Sequence, residues 1–145
     1  LHQLSIRHMA IDARSRVWFG CQYKGQPADM PQLLGYATAD GEIRLVELPA
    51  DTLRDLRNYI GSVAISADGE RVAISSPQGN LLVALDTEGR HPVLVEGLRD
   101  GCGLAADGAG FLATSGDGEM IGFAGAAHAR QVFDFQFDNH MLRFA

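Results

Sequence analysis

Hydrophobic and polar residues alternate along this chain in a unit that occurs three times, over residues 9–20, 63–75 and 104–115. Each copy has a short apolar run, a tight polar turn that usually contains Asp-Gly, and a second apolar run ending in small polar residues. Short apolar runs separated by Asp-Gly turns are typical of antiparallel β-hairpins, because glycine supplies the positive φ that such turns need. The pattern therefore predicts an all-β protein built from repeats.

The spacing of the repeats predicts the kind of all-β fold. The middle copy predicts four strands, over residues 62–66, 71–75, 81–85 and 92–95. Its Asp-Gly turn and the next one, at Asp68 and Asp107, lie 39 residues apart, close to the ~40–45 residues of a four-stranded propeller blade. We therefore expect about three blades of a larger β-propeller, for which seven blades are expected. A compact β-sandwich is the alternative fold.

The repeats divide the chain into expected parts of a single domain, residues 1–145. The blades are expected over residues 4–48, 59–97 and 101–137, followed by the start of a closing strand over 139–144. This last segment is expected because residues 139–142 resemble residues 7–10. Closed propellers have about four to eight blades, and three blades would leave bare strand edges. We expect the missing N-terminal half of a propeller, or a second copy of the chain, to close the ring.

Two segments depart from the repeat, and a third ends it. Residues 22–32 form an insertion rich in Pro and Gly. The next segment predicts a short helix near residues 51–58, with Asp51 as its N-cap and with Leu53, Leu56 and Ile60 on one face. Residues 133–138 alternate phenylalanine with polar residues, which predicts an outer strand with one solvated face.

Composition narrows the classes of function. The chain is 46% hydrophobic and 21% charged, as in an ordinary globular protein, with a net charge of −6 and no run of Lys or Arg. An acidic chain without basic runs is not expected to bind nucleic acid or an anionic membrane. No apolar stretch is long enough to span a membrane. Cys21 and Cys102 are too few for a disulfide scaffold.

Five strings of residues resemble one known family. They are HQLSIRH (2–8), VWFGCQY (17–23), LRNYIGSV (56–63), DGCG (100–103) and FDNH (137–140). They resemble the bacterial propeller family catalogued as domain of unknown function 1513, whose longer members this chain matches as a C-terminal half. The resemblance implies export to the periplasm, often behind a twin-arginine leader, and genes beside imelysin-type iron-uptake proteins.

Propeller geometry predicts a candidate site on one face. The connectors between blades and the loops between second and third strands meet near the central channel. They contribute the predicted ligand-binding residues Arg7, His8, Gln22, Tyr23, Arg57, Asn58, Arg99, Asp100, Asn139 and His140. The three arginines, at equivalent places in three units, would suit carboxylate or phosphate oxygens. Alternatively, each arginine bonds backbone carbonyls and a neighbouring Asp or Asn and ties blade to blade.

Four residues on the same face are weak candidates for a transition metal: His8, Cys21, Cys102 and His140. Imidazole and thiolate bind zinc, copper or iron. No paired ligand spacing such as C-x-x-C occurs, and a cysteine at a strand end is typically a small buried hydrophobe. No cofactor is therefore predicted.

The sequence thus predicts a non-catalytic periplasmic module that binds a ligand or a protein, with no catalytic residues. Its association with iron acquisition, and an imelysin-type protein as its partner, follow from the resemblance alone. The alternative is a metal-dependent, lactonase-like hydrolase. Its inward residues would be Asn58, Asp100, Asp138 and Asn139, and only part of its site would lie in this chain.

Overall fold

The structure is a computed structural model that describes residues 2–88, 92–125, 129–138 and 140–142. These residues form three four-stranded antiparallel sheets, each with its strands in chain order. The first sheet contains β1 (Leu4–Ile11), β2 (Val17–Tyr23), β3 (Leu34–Ala37) and β4 (Ile43–Leu45). The second contains β5 (Ser62–Ile65), β6 (Arg71–Ser76), β7 (Leu81–Asp86) and β8 (Pro92–Gly97). The third contains β9 (Gly101–Asp107), β10 (Gly110–Ser115), β11 (Glu119–Phe123) and β12 (Arg130–Val132).

The first strands of the three sheets lie side by side, β1 against β5 and β5 against β9. Each later strand of a sheet lies further from them, so the sheets radiate as blades do in a β-propeller. The prediction of three four-stranded blades is confirmed.

Asp-Gly turns join strands as predicted. Gly69 and Gly108, between first and second strands, have φ of +75° and +58°, which an L side chain rarely adopts. Before Gly69, the Asp68 carboxylate accepts hydrogen bonds from the Ser66 hydroxyl (2.6 Å) and the Glu70 N–H (3.0 Å). This local bonding holds the turn that starts β6.

The core lies between the blades. One cluster, which includes Trp18, Leu33 and Ile74, fills the space between the first and second sheets, and a second, which includes Phe111 and Phe123, lies between the second and third. Close packing at the first interface needs a glycine. A Cβ at Gly20 would lie 2.4 Å from Ile60 Cγ2, far inside van der Waals contact.

The predicted helix is present but shorter. Helix α1 spans Ala50–Asp55 and follows Pro49, which precedes its first turn, so Asp51 lies within that turn and is not the N-cap. The helix stops because Arg57 and Asn58 adopt left-handed φ of 50° and 58°, which no helix can continue through. The predicted apolar face is confirmed, since the three residues it names are buried: Leu53, Leu56 and Ile60.

The predicted outer strand over residues 133–138 is wrong. The outer strand β12 is Arg130–Val132, and it ends where Val132 pairs with Glu119, the first residue of β11. Residues 133–138 run past that end. The Phe133 N–H still donates to the Gly118 carbonyl (2.9 Å), but residues 134–138 belong to no strand. Their phenylalanine rings, Phe133, Phe135 and Phe137, pack on one another with centroids 5.0–5.3 Å apart.

The end of the described chain lies beside β9. A Cβ at Gly103 would be 3.4 Å from Met141 Cβ, and residues 140–142 are irregular. Asn139 and residues 143–145 lie outside the described residues, so the closing strand over 139–144 stays a prediction. In the part of the chain that the structure describes, no helix is long and apolar enough to cross a membrane.

Candidate functional site

A groove runs along the first strands of the blades, where a propeller has its central channel. It is a cavity of about 360 Å³ lined by residues 8–10, 63, 104–106 and 140–142; we call it the channel groove. His8 and His140 contribute its two imidazoles, which are stacked with centroids 5.4 Å apart and planes 19° apart. The other described lining residues are apolar. The groove thus brings together two of the predicted site residues, from opposite ends of the sequence.

A β-bulge at Arg7 turns His8 into its position. Ile6 pairs with Cys21, and His8 pairs with Gly20. Between these two neighbouring pairs β1 has one extra residue, Arg7, and β2 has none. Such an extra residue changes the face on which later side chains lie. Ile6 is therefore largely exposed while His8 reaches β5, where its Nδ1 accepts a hydrogen bond from the Val63 N–H (2.8 Å). The sequence pattern carries no signal for this bulge.

The environment of His8 disfavours its charged form. Burial lowers the pKa of His8, and positive charge on the neighbouring His140 lowers it further. A hydrogen bond with the Val63 backbone raises this pKa and offsets part of the decrease. The imidazole is thus kept neutral to lower pH than in solution.

The three predicted arginines do not share one environment. Arg7 donates through Nε to Gln22 Oε1 (3.1 Å), on the strand beside it. Arg99 pairs with Asp117 (3.0 Å between Nε and Oδ2), with its side chain 82% exposed. Arg57 lies after helix α1 and lines a different cavity. A single rim of three equivalent arginines is therefore not formed.

This different cavity lies between the insertion and the end of α1, and we call it the insertion pocket. Its volume is about 300 Å³, and its lining residues are Pro27, Met30, Leu53, Arg54, Arg57 and Asn58. The Asn58 Nδ2 donates to the Pro27 carbonyl (3.0 Å), which ties the two segments together. Asn58 was predicted from the sequence; Pro27, Met30 and Leu53 were not, because they reach the pocket only through the fold of the insertion.

Tyr23 and Asp100, two further predicted residues, line neither of these cavities. Tyr23 donates to Asp29 Oδ2 (2.5 Å), and this bond to a carboxylate raises the pKa of the Tyr23 phenol. Asp100 adopts a left-handed φ of 49° and its N–H donates to Asn80 Oδ1 (2.9 Å). Asn139 lies outside the described residues.

Of the four metal candidates, the structure brings only His8 and His140 together. Cys21 and Cys102 are free and buried, and burial raises the pKa of both thiols, which disfavours the thiolate that binds metals. Cys102 Sγ donates instead to the Thr114 carbonyl (3.4 Å). Within the described ranges, no group of three or more His, Cys, Asp or Glu is placed to hold a metal ion.

The fold and the channel groove define a β-propeller module. The chain belongs to the family described as "Protein of unknown function (DUF1513)", whose model matches residues 1–144. This confirms the resemblance seen in the five strings. No curated protein matches the chain.

Solved structures that resemble the chain include several propeller proteins. The crystal structure of a nidogen/laminin complex has a TM-score of 0.67 at 15% identity, over 95% of this chain and 52% of that one. Virginiamycin B lyase from Staphylococcus aureus, in a catalytically inactive form with quinupristin, has 0.63 at 12% identity, over 94% and 43%. Kuenenia stuttgartiensis hydrazine synthase has 0.69 at 10% identity, over 93% and 38%.

These similarities establish the fold alone, because all the identities are low. The chain spans about half or less of the length of each of these structures. It is therefore a partial propeller.

Proposed function

We propose that this chain is part of a non-catalytic propeller module that binds an apolar segment of a partner protein in the channel groove. The observation that supports this most directly is the lining of the groove, which is apolar apart from two stacked imidazoles. Met9 and Leu142, both in this lining, are 59% and 78% exposed. Exposed apolar side chains gathered in a concave surface are typical of protein-binding sites.

The stacked imidazoles suit recognition as well. The Val63 N–H holds the ring of His8 through Nδ1, so its face is fixed before a partner arrives. A fixed aromatic surface loses little conformational entropy on binding. Polar atoms at the edges of the two rings can orient an otherwise apolar segment.

Location and partner are further parts of the proposal. Membership of the family, together with the resemblance stated above, supports export to the periplasm and an imelysin-type protein as the partner. Fractionation of cells tests the location: the protein is expected in the periplasmic fraction, and recovery from the cytoplasm would contradict it.

Two lysine variants test binding in the groove. Met9→Lys places a charge in the apolar lining, whereas Ile43→Lys places one on the outer strand β4, at a residue of similar exposure (67%). Binding of an imelysin-type protein to the full protein is measured by calorimetry. We expect Met9→Lys to weaken binding at least tenfold and Ile43→Lys to leave it unchanged.

Two results would contradict the proposal. One is failure of Met9→Lys to bind more weakly than Ile43→Lys, which includes no binding by any form of the protein. The other is metal-dependent turnover of a lactone by the full protein, which would assign it to the hydrolases instead.

A further inference from the structure

The insertion pocket has the size and chemical composition of a small-molecule site. Its volume of about 300 Å³ is at the lower end of the ~300–1,000 Å³ found for ligand pockets. Pro27, Met30 and Leu53 provide an apolar wall, and Arg54, Arg57 and Asn58 provide polar groups. A few polar groups converging on an apolar pocket are typical of sites that orient one small ligand.

The charge of the pocket favours an anion. Two of the lining residues are arginines, and no described lining residue is acidic. Arg54 is already paired with Asp51, with 2.7 Å between Nη1 and Oδ1. Among the described residues Arg57 forms no ion pair, so its guanidinium remains available. A guanidinium binds a carboxylate through two parallel hydrogen bonds.

The backbone around the pocket is held in unfavourable conformations. Met30, Arg57 and Asn58 all have positive φ, of 40°, 50° and 58°. Asparagine tolerates this region, but methionine and arginine do not favour it. Backbone strain of this kind persists where the surrounding structure imposes it, and it concentrates at ligand-binding sites. Here the Tyr23 N–H donates to the Asn58 carbonyl (2.9 Å) and holds the strained pair against β2.

Asn58 adds a polar atom without a partner. Its Nδ2 donates to Pro27, but its Oδ1 is buried and accepts no hydrogen bond from any described residue. A buried acceptor left without a donor is unfavourable. Because Oδ1 is closed to solvent in this structure, a ligand hydroxyl or amine would satisfy it once the Asn58 side chain turns towards the pocket. The two arginines repel an ammonium group, which leaves the hydroxyl as the better donor.

From these features we propose that the insertion pocket binds a small hydroxy-carboxylate. Arg57 holds the carboxylate, the Asn58 side chain turns so that its Oδ1 accepts from the adjacent hydroxyl, and the apolar wall contacts the carbon skeleton. This site is separate from the channel groove, and the proposal does not depend on the function proposed for the groove.

Calorimetric titration of the full protein tests the chemical class. L-malate is the probe, succinate is the same skeleton without the hydroxyl, and inorganic phosphate is a simple anion. We expect malate to bind at least tenfold more tightly than either of the others. Equal binding of malate and succinate would overturn the role of the hydroxyl, and equal binding of phosphate would reduce the site to a general anion site.

Variants then test the assigned residues. Arg57→Gln is expected to raise the Kd for malate at least tenfold, while Arg99→Gln, at an exposed arginine in another blade, leaves it unchanged. Asn58→Gly, which also accepts positive φ, is expected to remove the preference for malate over succinate.

Two results separate this proposal from its alternatives. No malate binding at millimolar concentration, or equal loss in Arg57→Gln and Arg99→Gln, would overturn it. If Arg57→Gln melts early, Arg57→Gly, which relieves the backbone strain, replaces it with the same expected loss. Met9→Lys in the channel groove is expected to leave malate binding intact, so failure of one proposal is distinguishable from failure of the other.

Discussion

The carboxylate of Asp12 holds the first blade together, and removing it is expected to destabilise the fold strongly. Its side chain is only 1% exposed and accepts four hydrogen bonds. Oδ1 accepts from the backbone N–H groups of Arg14 and Arg16, both at 2.9 Å. Oδ2 accepts from Arg16 Nε (2.6 Å) and from Trp18 Nε1 (2.9 Å). The indole of Trp18 is fully buried, so its N–H has no access to water.

The hydrogen bonds accepted by Asp12 determine how much stability each substitution removes. Asp12→Ala removes the acceptor for the whole set and leaves the largely buried Arg16 guanidinium with Glu88, 3.9 Å away, as its remaining ionic partner. Removing one partner of a buried ion pair costs about 3–5 kcal/mol. Asp12→Asn keeps one oxygen, which can serve either the two backbone groups or the Arg16 and Trp18 side chains. The other pair of donors then faces an amide N–H group, and one unsatisfied buried donor costs about 1–3 kcal/mol.

Urea unfolding followed by the fluorescence of Trp18, the only tryptophan in the chain, measures these differences. Asp40→Asn is the matched control, because Asp40 lies in an exposed turn, and its midpoint is expected to stay close to that of the parent. The reasoning is refuted if Asp12→Asn unfolds at the same urea concentration as the parent.

Three further predictions address the blade interfaces and the channel groove. Gly20→Ala is expected to lower the free energy of unfolding by about 1–3 kcal/mol through overpacking. Gly97→Ala is the control and is expected to leave it unchanged, because a Cβ at Gly97 meets nothing within 4 Å. Equal thermal midpoints of the two variants would contradict this prediction. His8 has a pKa below the ~6.5 of free imidazole, so the unfolded chain takes up a proton first. The stabilisation from neutral His8 is fully present above pH 6.5, and it falls as the pH drops below that value. In His8→Gln the free energy of unfolding is expected to depend less on pH. An unchanged slope of this free energy against pH would contradict the prediction. Arg71 Nη1 donates to two carbonyls of the third blade, at 2.9 and 2.6 Å, so Arg71→Met is expected to cost about 1–3 kcal/mol in urea unfolding, and no change would show the bonds to be unimportant.

The sequence repeat predicted the blades correctly because the strands and turns of each blade follow from residues that are close together in the sequence. Apolar runs and Asp-Gly turns determine a hairpin by themselves, and the interval between turns determines how many strands a blade holds. Val63–Ile65 and Val72–Ile74, for example, pair in the register that their alternation requires.

The predictions from the sequence failed where the structure depends on contacts with residues distant in sequence. Phe133, Phe135 and Phe137 alternate like a strand, but β11 begins only at Glu119. Beyond the bond from the Phe133 N–H to the Gly118 carbonyl, no length of β11 remains for pairing. The bulge at Arg7 likewise depends on the register between β1 and β2, which alternation along one strand does not reveal. Arg57 lies in the insertion pocket because the chain turns left-handed there.

The candidate site was predicted in part for the same reason. His8 and His140 were predicted on one face, and they stack in the channel groove because the irregular end of the described chain lies beside β9 and faces β1. The insertion pocket was not predicted as a separate site, since its apolar wall depends on how residues 27–30 fold back against α1.

The imidazole NMR signals of His8 and His140 in the full protein test the central claim most directly. On addition of an imelysin-type protein, both signals are expected to shift together, and in Met9→Lys neither should move. The account would be contradicted if the partner binds the full protein while both signals stay in place.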